Sequence, residues 1–304
     1  MSLLIIGTVA FDAIETPFGK TDKIVGGSAT YVGYSAAKLG VNPKLVAVVG
    51  DDFPTETIND LKNAGFDLEG LQVKKEEKTF FWSGKYHNDM NSRDTLITEL
   101  NVLESFNPVI PDSYQDCTYL MLGNLAPALQ TQVINSLKNR PKLIAMDTMD
   151  FWMDIAMDDL KEAISKVDVL TINDEEARQL SGEYSLLTAA EKIQSMGPRF
   201  LIIKKGEHGA LLFHGKEMFY APALPLAFVK DPTGAGDTFA GGFMGYLAST
   251  DDVSFENMKR AVVYGSALAS FTVEEFGTDN IKAVTQKDLE ARMDAFKALM
   301  SFKH

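Results

Sequence analysis

The chain of 304 residues has little cysteine, a deficit of basic residues and no long apolar run. Its one cysteine, Cys117, excludes an internal disulfide and is typical of a reducing compartment. Lys and Arg number 29 against 42 Asp and Glu, which argues against a nucleic-acid partner because phosphate backbones need clustered positive charge. No stretch approaches the length of a membrane span, and the N-terminus lacks the features of a signal peptide. We therefore expect a cytosolic protein that binds neither nucleic acid nor a membrane.

What is present is the composition of an ordinary globular protein, in which short apolar runs alternate with longer amphipathic segments. The apolar runs predict buried strands at 3–6, 45–49, 119–122, 143–146, 167–172 and 200–203. The amphipathic segments predict helices at 29–39, 55–64, 130–138, 158–165, 187–196 and 255–271. Residues 210–213 and 217–220 predict a hairpin. This alternation is typical of βαβ units, so the sequence predicts one α/β domain over 1–304, with three layers around a mostly parallel sheet.

Two segments, at about 13–25 and 73–106, break this alternation because they mix polar and aromatic residues without helical periodicity. Within the second segment, alternation places Phe80, Trp82 and Tyr86 on one side of a strand. The density of aromatic residues argues against a disordered insertion. We therefore expect a small β-sheet beside the core.

The most informative run is Asp-Pro-Thr-Gly-Ala-Gly-Asp-Thr-Phe-Ala-Gly-Gly-Phe at 231–243. Its glycines Gly234 and Gly236 allow a tight turn, and the apolar residues that follow predict a helix whose N-terminus attracts anions. Asp237 lies inside this anion site, although a carboxylate is a poor neighbour for a resting phosphate. We interpret Asp237 as a general base for an attacking hydroxyl, while the amides of Ala235, Gly236 and Asp237 stabilise a transferring phosphoryl group. The alternative for so short a motif is a glycine-rich turn capped by Asp.

The run 231–243 resembles the C-terminal signature of the ribokinase-like (PfkB) carbohydrate kinases, and Gly-Gly-Ser-Ala-Thr-Tyr-Val-Gly-Tyr-Ser-Ala-Ala-Lys-Leu-Gly at 26–40 resembles their N-terminal one. The order and spacing of the two runs fit the family over essentially the whole chain. The resemblance implies a ribokinase-like αβα core, a β-sheet lid built from segments 13–25 and 73–106, and the use of ATP and Mg²⁺. Lids pair into homodimers in some members, and the sequence leaves open whether this chain pairs.

The resemblance also implies residues that bind nucleotide and metal. Asn173 and Glu176 match the family's Asn-x-x-Glu, which helps to position magnesium and phosphates through water. The residues alone also fit a plain helix start with Asn173 as the N-cap. The loop 204–209 resembles the family's nucleotide-edge loop, but it has Lys204 and Lys205 where many members carry a small hydroxyl residue. The implied nucleotide-binding positions are Asn173, Glu176, Lys205, Gly206, Gly209, Thr233 and Ser266.

On the acceptor side, the candidate substrate residues are Asp12, Gly26, Gly27, Tyr31 and Asn124. Asp12 matches the family aspartate that holds substrate hydroxyls, and a carboxylate that accepts from two vicinal hydroxyls suits a sugar. Tyr31, however, stands where members commonly place an asparagine. Residues 147–152 also lack the asparagine and arginine of the sugar-kinase pattern. These departures point away from an ordinary hexose.

The predicted function is ATP-dependent phosphorylation of a hydroxyl on a sugar or sugar-like small molecule. A nucleoside or vitamin kinase of the same fold is one alternative, and a non-catalytic ligand-binding regulator is another. The presence of Asp237 argues against a pure binder, since a carboxylate in an anion site gives binding no advantage.

Overall fold

The computed structural model describes residues 1–301 of the chain. Its strands are β1 (Leu3–Ile6), β2 (Ala10–Thr16), β3 (Gly19–Lys20), β4 (Ile24–Gly26), β5 (Pro43–Gly50), β6 (Asp67–Lys74), β7 (Phe81–Tyr86), β8 (Arg93–Glu99), β9 (Tyr119–Leu122), β10 (Leu143–Asp147), β11 (Val169–Asn173), β12 (Phe200–Lys204), β13 (Ala210–His214) and β14 (Glu217–Ala221). Its helices are α1 (Ser28–Ala37), α2 (Thr55–Asn63), α3 (Pro127–Ser136), α4 (Asp150–Ile155), α5 (Met157–Lys166), α6 (Asp174–Ser181), α7 (Leu186–Gln194), α8 (Ala235–Thr250), α9 (Phe255–Thr272), α10 (Asp279–Ala283) and α11 (Gln286–Met300). Every predicted strand and helix is present, with boundaries that differ by three residues or fewer.

Nine strands form the main sheet, in the order β14-β13-β12-β11-β10-β9-β1-β5-β6. The strands from β12 to β6 run parallel, and the hairpin β13–β14 adds an antiparallel edge. Parallel order requires a crossover between neighbours, and the helices supply it on both faces. The predicted α/β fold with a mostly parallel sheet is confirmed.

The central strands are buried on both faces, which explains why they are continuous apolar runs. Leu3 and Ile5 of β1 belong to one hydrophobic cluster, which includes Phe243 of α8. Their neighbours Leu4 and Ile6 belong to a second cluster on the opposite face. Each fully buried side chain of this size stabilises the fold by roughly 1.5–3 kcal/mol. The sheet is therefore the middle of three layers.

A separate small sheet has the order β3-β2-β7-β8, with β4 also paired to β2. Strands β2 and β7 are parallel, and the other pairs are antiparallel. The first of its two chain segments begins at Ala10, slightly before the range 13–25. Within 73–106, residues 73 and 74 lie in β6, which pairs with β5 in the main sheet. The small sheet takes from that range only β7 and β8.

Helix α8 packs closely against its neighbours through glycines. A Cβ placed on Gly241 would overlap the carbonyl oxygen of Val32 in α1. A Cβ on Gly242 would be 2.9 Å from the Cα of Gly265 in α9. This close approach explains why α8 tolerates residues that each cost about 1 kcal/mol of helix propensity. No helix within residues 1–301 is long and apolar enough to cross a membrane.

Candidate active site

Polar residues end three adjacent parallel strands of the main sheet. Asp147 ends β10, Asn173 ends β11 and Lys204 ends β12. Asn173 and Lys204 are register partners. Because the carboxyl ends of parallel strands meet at one edge, these side chains lie at the edge where α/β sheets bind ligands.

The predicted anion loop lies at the N-terminus of α8. Gly234 is the N-cap, with a φ of 74° that favours glycine, and a Cβ there would be 2.5 Å from the ring of Tyr31. The carboxylate of the buried Asp231 accepts hydrogen bonds from the backbone N–H groups of Thr233 (2.9 Å) and Gly277 (3.2 Å). These bonds hold the loop. The backbone N–H of Ala235 donates to the carbonyl oxygen of Pro232 (3.2 Å), whereas those of Gly236 and Asp237 have no hydrogen-bond partner within residues 1–301.

Asp237 lies in the first turn of α8, and its pKa is raised to about 7. Burial is the largest cause, and the negative charge of Asp147 adds to it. Lys204 and Arg93 act in the opposite direction. A carboxylate with a pKa near neutral pH is suited to general base catalysis.

Lys204 reaches the anion loop from β12. Its Nζ lies 2.9 and 3.1 Å from the two carboxylate oxygens of Asp147, and a Cβ placed on Gly236 would be 3.1 Å from Nζ. Burial lowers the pKa of the Lys204 ammonium, but the carboxylates of Asp147 and Glu176 outweigh burial, so this pKa is raised. Lys204 is therefore a charged group beside the amides of the loop. Lys205, the lysine chosen from the sequence, makes no side-chain hydrogen bond within residues 1–301.

Asp12, in β2, is 5% exposed, and its pKa is raised to about 7. Burial is the main cause, followed by the charges of Asp231 and Asp237. A Cβ on Gly26 would overlap the Asp12 carboxyl group, and a Cβ on Gly27 would be 2.5 Å from the carbonyl oxygen of Thr8. These two glycines therefore give room to the protein's own Asp12 and Thr8.

Tyr31 is 1% exposed, and its hydroxyl is one of the buried polar groups without a hydrogen-bond partner in the described part of the chain. Burial and then the charges of Asp12, Asp231 and Asp237 raise its pKa. The ring lies against Gly234. The structure thus brings Tyr31, Asp12 and the anion loop together.

Asn124 follows β9 and is occupied by contacts within the chain. Its Oδ1 accepts a hydrogen bond from Trp152 Nε1 (2.8 Å), and its Nδ2 donates to the sulfur of Met149 (2.9 Å). Asn124 therefore positions helix α4 next to Asp147. Ser266 is half-buried in α9, and no hydrogen bond among residues 1–301 links it to the anion loop.

Asn173 and Glu176 form a complete capping box at the start of α6. Asn173 Oδ1 accepts from the Glu176 N–H, and Glu176 Oε2 accepts from the Asn173 N–H, both at 2.8 Å. Burial raises the pKa of Glu176 to about 7, an effect that Lys204 opposes and Asp147 reinforces. Among residues 1–301 no group of three or more His, Cys, Asp or Glu side chains is arranged to hold a metal. The side-chain oxygen of Asn173 and the second carboxylate oxygen of Glu176 are suitable partners for a magnesium ion that keeps most of its water ligands.

The loop after β12 has left-handed backbone at two glycines. Gly206 has a φ of 53° and Gly209 a φ of 87°. A Cβ on Gly206 would be 2.7 Å from Oδ1 of Asn91, in the turn between β7 and β8. A Cβ on Gly209 would overlap the carbonyl oxygen of Ala221. The small sheet thus reaches this loop.

The small sheet also contacts the anion loop. The hydroxyl of Thr233 donates a hydrogen bond to the phenol oxygen of buried Tyr86 (3.1 Å). Trp82 is the register partner of Asp12, so both lie on the face that Tyr86 shares. Trp82 and Tyr86 of the predicted aromatic group therefore share the face of Asp12, whereas Phe80 precedes β7.

Sequence reasoning missed the Asp147–Lys204 pair. The signal that would have found it is a polar residue directly after each of three apolar runs, at positions 147, 173 and 204. Only the middle one was assigned a role, because a motif drew attention to it.

Comparison with known proteins shows which family this chain resembles in sequence and in structure. Residues 2–285 match the family described as pfkB family carbohydrate kinase. The chain is 32% identical over 250 residues to a cytidine kinase from Thermococcus kodakarensis, covering 80% of this chain and 87% of that protein. The solved structure of a Burkholderia thailandensis nucleoside kinase in complex with inosine has a TM-score of 0.80 at 20% identity, covering 100% of both chains. An Arabidopsis thaliana ribokinase complexed with ribose and ATP has a TM-score of 0.76 at 20% identity, covering 97% of this chain and 98% of that one.

The two solved structures show a shared fold, and the family match spans nearly the whole chain. The predicted family and enzyme class are confirmed. The chain belongs to the pfkB family of carbohydrate kinases and is a phosphotransferase.

Proposed function

We propose that this kinase phosphorylates a nucleoside, with Asp237 as the general base and the N-terminus of α8 as the phosphoryl site. The observation that carries the chemistry is the position of Asp237, half-buried in the first turn of α8, where the backbone N–H groups of Gly236 and Asp237 have no partner within residues 1–301. Backbone amides at a helix N-terminus favour the charge that develops on a transferring phosphoryl group.

In the reaction, the acceptor hydroxyl loses its proton to the Asp237 carboxylate. The acceptor oxygen forms a bond to the terminal phosphorus of ATP, while the bond from that phosphorus to the bridging oxygen breaks and leaves its electron pair on ADP. The amides of Gly236 and Asp237 stabilise the transferring group, whereas the amide of Ala235, which the sequence also suggested, donates to the carbonyl oxygen of Pro232 (3.2 Å). Gly234 places these amides, since its left-handed φ opens the helix at that point.

Magnesium belongs to the same proposal and neutralises phosphate charge when bound. Asn173 and Glu176 would hold it through water, because one oxygen of each side chain already accepts a hydrogen bond in the capping box. Thr233, Gly206, Gly209, Lys205 and Ser266 complete the proposed nucleotide-binding set.

Three observations favour a nucleoside over a free sugar. The first is the identity of 32% to a protein named cytidine kinase. The second is the environment of the acceptor: buried Asp12 suits two vicinal ribose hydroxyls, and the unpartnered hydroxyl of Tyr31 offers a donor beside it. The residues 147–152 do not carry the arginine expected of a sugar-kinase site.

The test is ADP release measured with a panel of ribonucleosides, ribose and hexoses at saturating ATP, with product identity checked by mass spectrometry. We expect a ribonucleoside to give the highest kcat/KM, at least about tenfold above any free sugar. The Asp237→Asn variant serves as the background. A free sugar that exceeds every nucleoside would overturn the acceptor assignment and leave the kinase assignment intact.

A further inference from the structure

Lys204 is a half-buried cation that pairs with Asp147 beside the proposed phosphoryl site. Its side chain is 18% exposed and that of Asp147 is 7% exposed. Its Nζ lies beside Gly236, the middle residue of the loop whose amides form the proposed phosphoryl site. A buried ion pair is a weak source of stability, because an apolar pair of similar volume is often as stable. The location of the pair therefore indicates a role in the chemistry.

The charges around Lys204 point the same way. Three carboxylates, those of Asp147, Glu176 and Asp237, act on its ammonium group. An anionic nucleotide would bring further negative charge to this edge of the sheet, and the positive charge of Lys204 lies next to where that charge changes during transfer. Arg93 of the small sheet also acts on Asp237, but its side chain is exposed.

We propose that Lys204 is a catalytic residue whose ammonium group contacts the transferring phosphoryl oxygens, and that Asp147 positions it. This inference rests on the proposed function and assigns an electrostatic role that the sequence had left to Lys205. Lys204 keeps its proton throughout. As the phosphorus changes partner from the ADP oxygen to the acceptor oxygen, and the acceptor proton passes to Asp237, the ammonium stabilises the charge on the oxygens that do not react.

The first experiment compares Lys204→Met with the double variant Lys204→Met/Asp147→Asn. The single variant leaves a buried carboxylate without its partner and is expected to unfold at a lower temperature. The double variant removes both charges and is expected to recover the melting temperature but not the turnover. We expect kcat to stay roughly 10²–10³-fold below wild type in both variants, with the acceptor KM changed less than about threefold.

A second readout does not depend on turnover. Calorimetry without acceptor gives the dissociation constants of ATP and ADP, and loss of a charged contact to the terminal phosphate should reduce the preference for ATP by about tenfold. The matched control is Lys142→Met, which removes another Lys–Asp pair (2.8 Å to Asp251) next to the opposite end of β10. That variant should keep kcat within about twofold and keep the ATP preference.

The inference is overturned if the double variant regains wild-type kcat, or if Lys204→Met keeps the full preference for ATP over ADP. Either result would make the pair a structural element only. If the wild-type protein phosphorylates no acceptor in the panel, the proposed acceptor class fails. The ATP-to-ADP ratio of Lys204→Met still tests the contact of Lys204 in that case.

Discussion

The main sheet and the small sheet follow opposite rules of construction. Strands of the main sheet such as β1, β9 and β10 are buried along their whole length. In the small sheet, every residue of β8 is exposed, and burial is concentrated in β2, where Phe11 joins the hydrophobic cluster of the main body and Asp12 lies on the opposite face. The main sheet is enclosed by its own core, whereas the small sheet joins that core only through residues such as Phe11 and leaves its β8 edge exposed. We therefore expect chemistry to depend on the main body, and acceptor binding to depend on the small sheet.

The sharpest test of this division is Asp237→Asn in the main body. The amide keeps the shape of the side chain but cannot take the proton of the acceptor. We expect kcat to fall roughly 10²–10⁴-fold, with little change in ATP affinity. Single-turnover measurements give the rate of the chemical step. A variant that retains more than a tenth of that rate would contradict the role of Asp237 as base.

The second prediction concerns pH. Asp237 acts only when deprotonated, and its pKa is raised to about 7, chiefly by burial. Below this pKa the base is protonated, so kcat/KM should fall about tenfold per pH unit as the pH falls and should level off above pH 7. Asp147→Asn removes a negative neighbour and should move the midpoint to lower pH. An acid limb centred near pH 4 would show that another group controls the rate.

The third prediction changes the small sheet alone. Tyr86→Phe removes the phenol oxygen that accepts a hydrogen bond from Thr233. This hydrogen bond links the small sheet to the anion loop. One such bond contributes about 1 kcal/mol, so the acceptor KM should rise about fivefold. The midpoint of the pH profile should stay where it is, because Asp237 is unchanged. A kcat loss as large as that of Asp237→Asn would break the division between chemistry and binding.

The smallest expected effect is on stability, at Asp12, where the two sheets meet. Its folded pKa of about 7 exceeds its ordinary value of 3.8, so the folded protein binds more protons than the unfolded one between these pH values. This contribution to stability is complete below about pH 4 and is lost as the pH rises through 7. Asp12→Asn should therefore raise the melting temperature by about 2 °C at pH 8 and by less at pH 5, as measured by calorimetry. An equal gain at both pH values would assign the effect to packing instead.

The same division explains what could be predicted from the sequence. The central strands were predicted because burial on both faces makes each one an apolar run. Strand β6 was missed because it is an edge strand with a mixed pattern of exposure. Helix α11 was missed because only Leu289 and Phe296 of its fifteen residues are buried, which leaves a thin apolar stripe.

For the site, features specified by adjacent residues could be predicted from the sequence, whereas contacts between distant residues could not. Gly234 and Asp237 belong to one turn, and a turn is specified by adjacent residues. Asp147 and Lys204 are separated by 57 positions, and their contact depends on the order of strands in the sheet. Gly26 and Gly27 were predicted to contact substrate, and their close approach to Asp12 and Thr8 depends on contacts that the sequence does not reveal.

The close packing of α8 makes the geometry of the active site sensitive to small changes in side-chain size. Gly241 lies about one helical turn beyond Asp237, and its hydrogen atom faces the carbonyl oxygen of Val32. A single methyl group added there forces α8 to shift as a whole. Because the N-terminus of α8 carries Asp237 and the amides of the proposed phosphoryl site, these groups shift with it. Inactive variants will therefore arise at positions that no substrate touches. We expect substitutions in this helix to change the alignment of the reacting groups, even where each of those groups is intact.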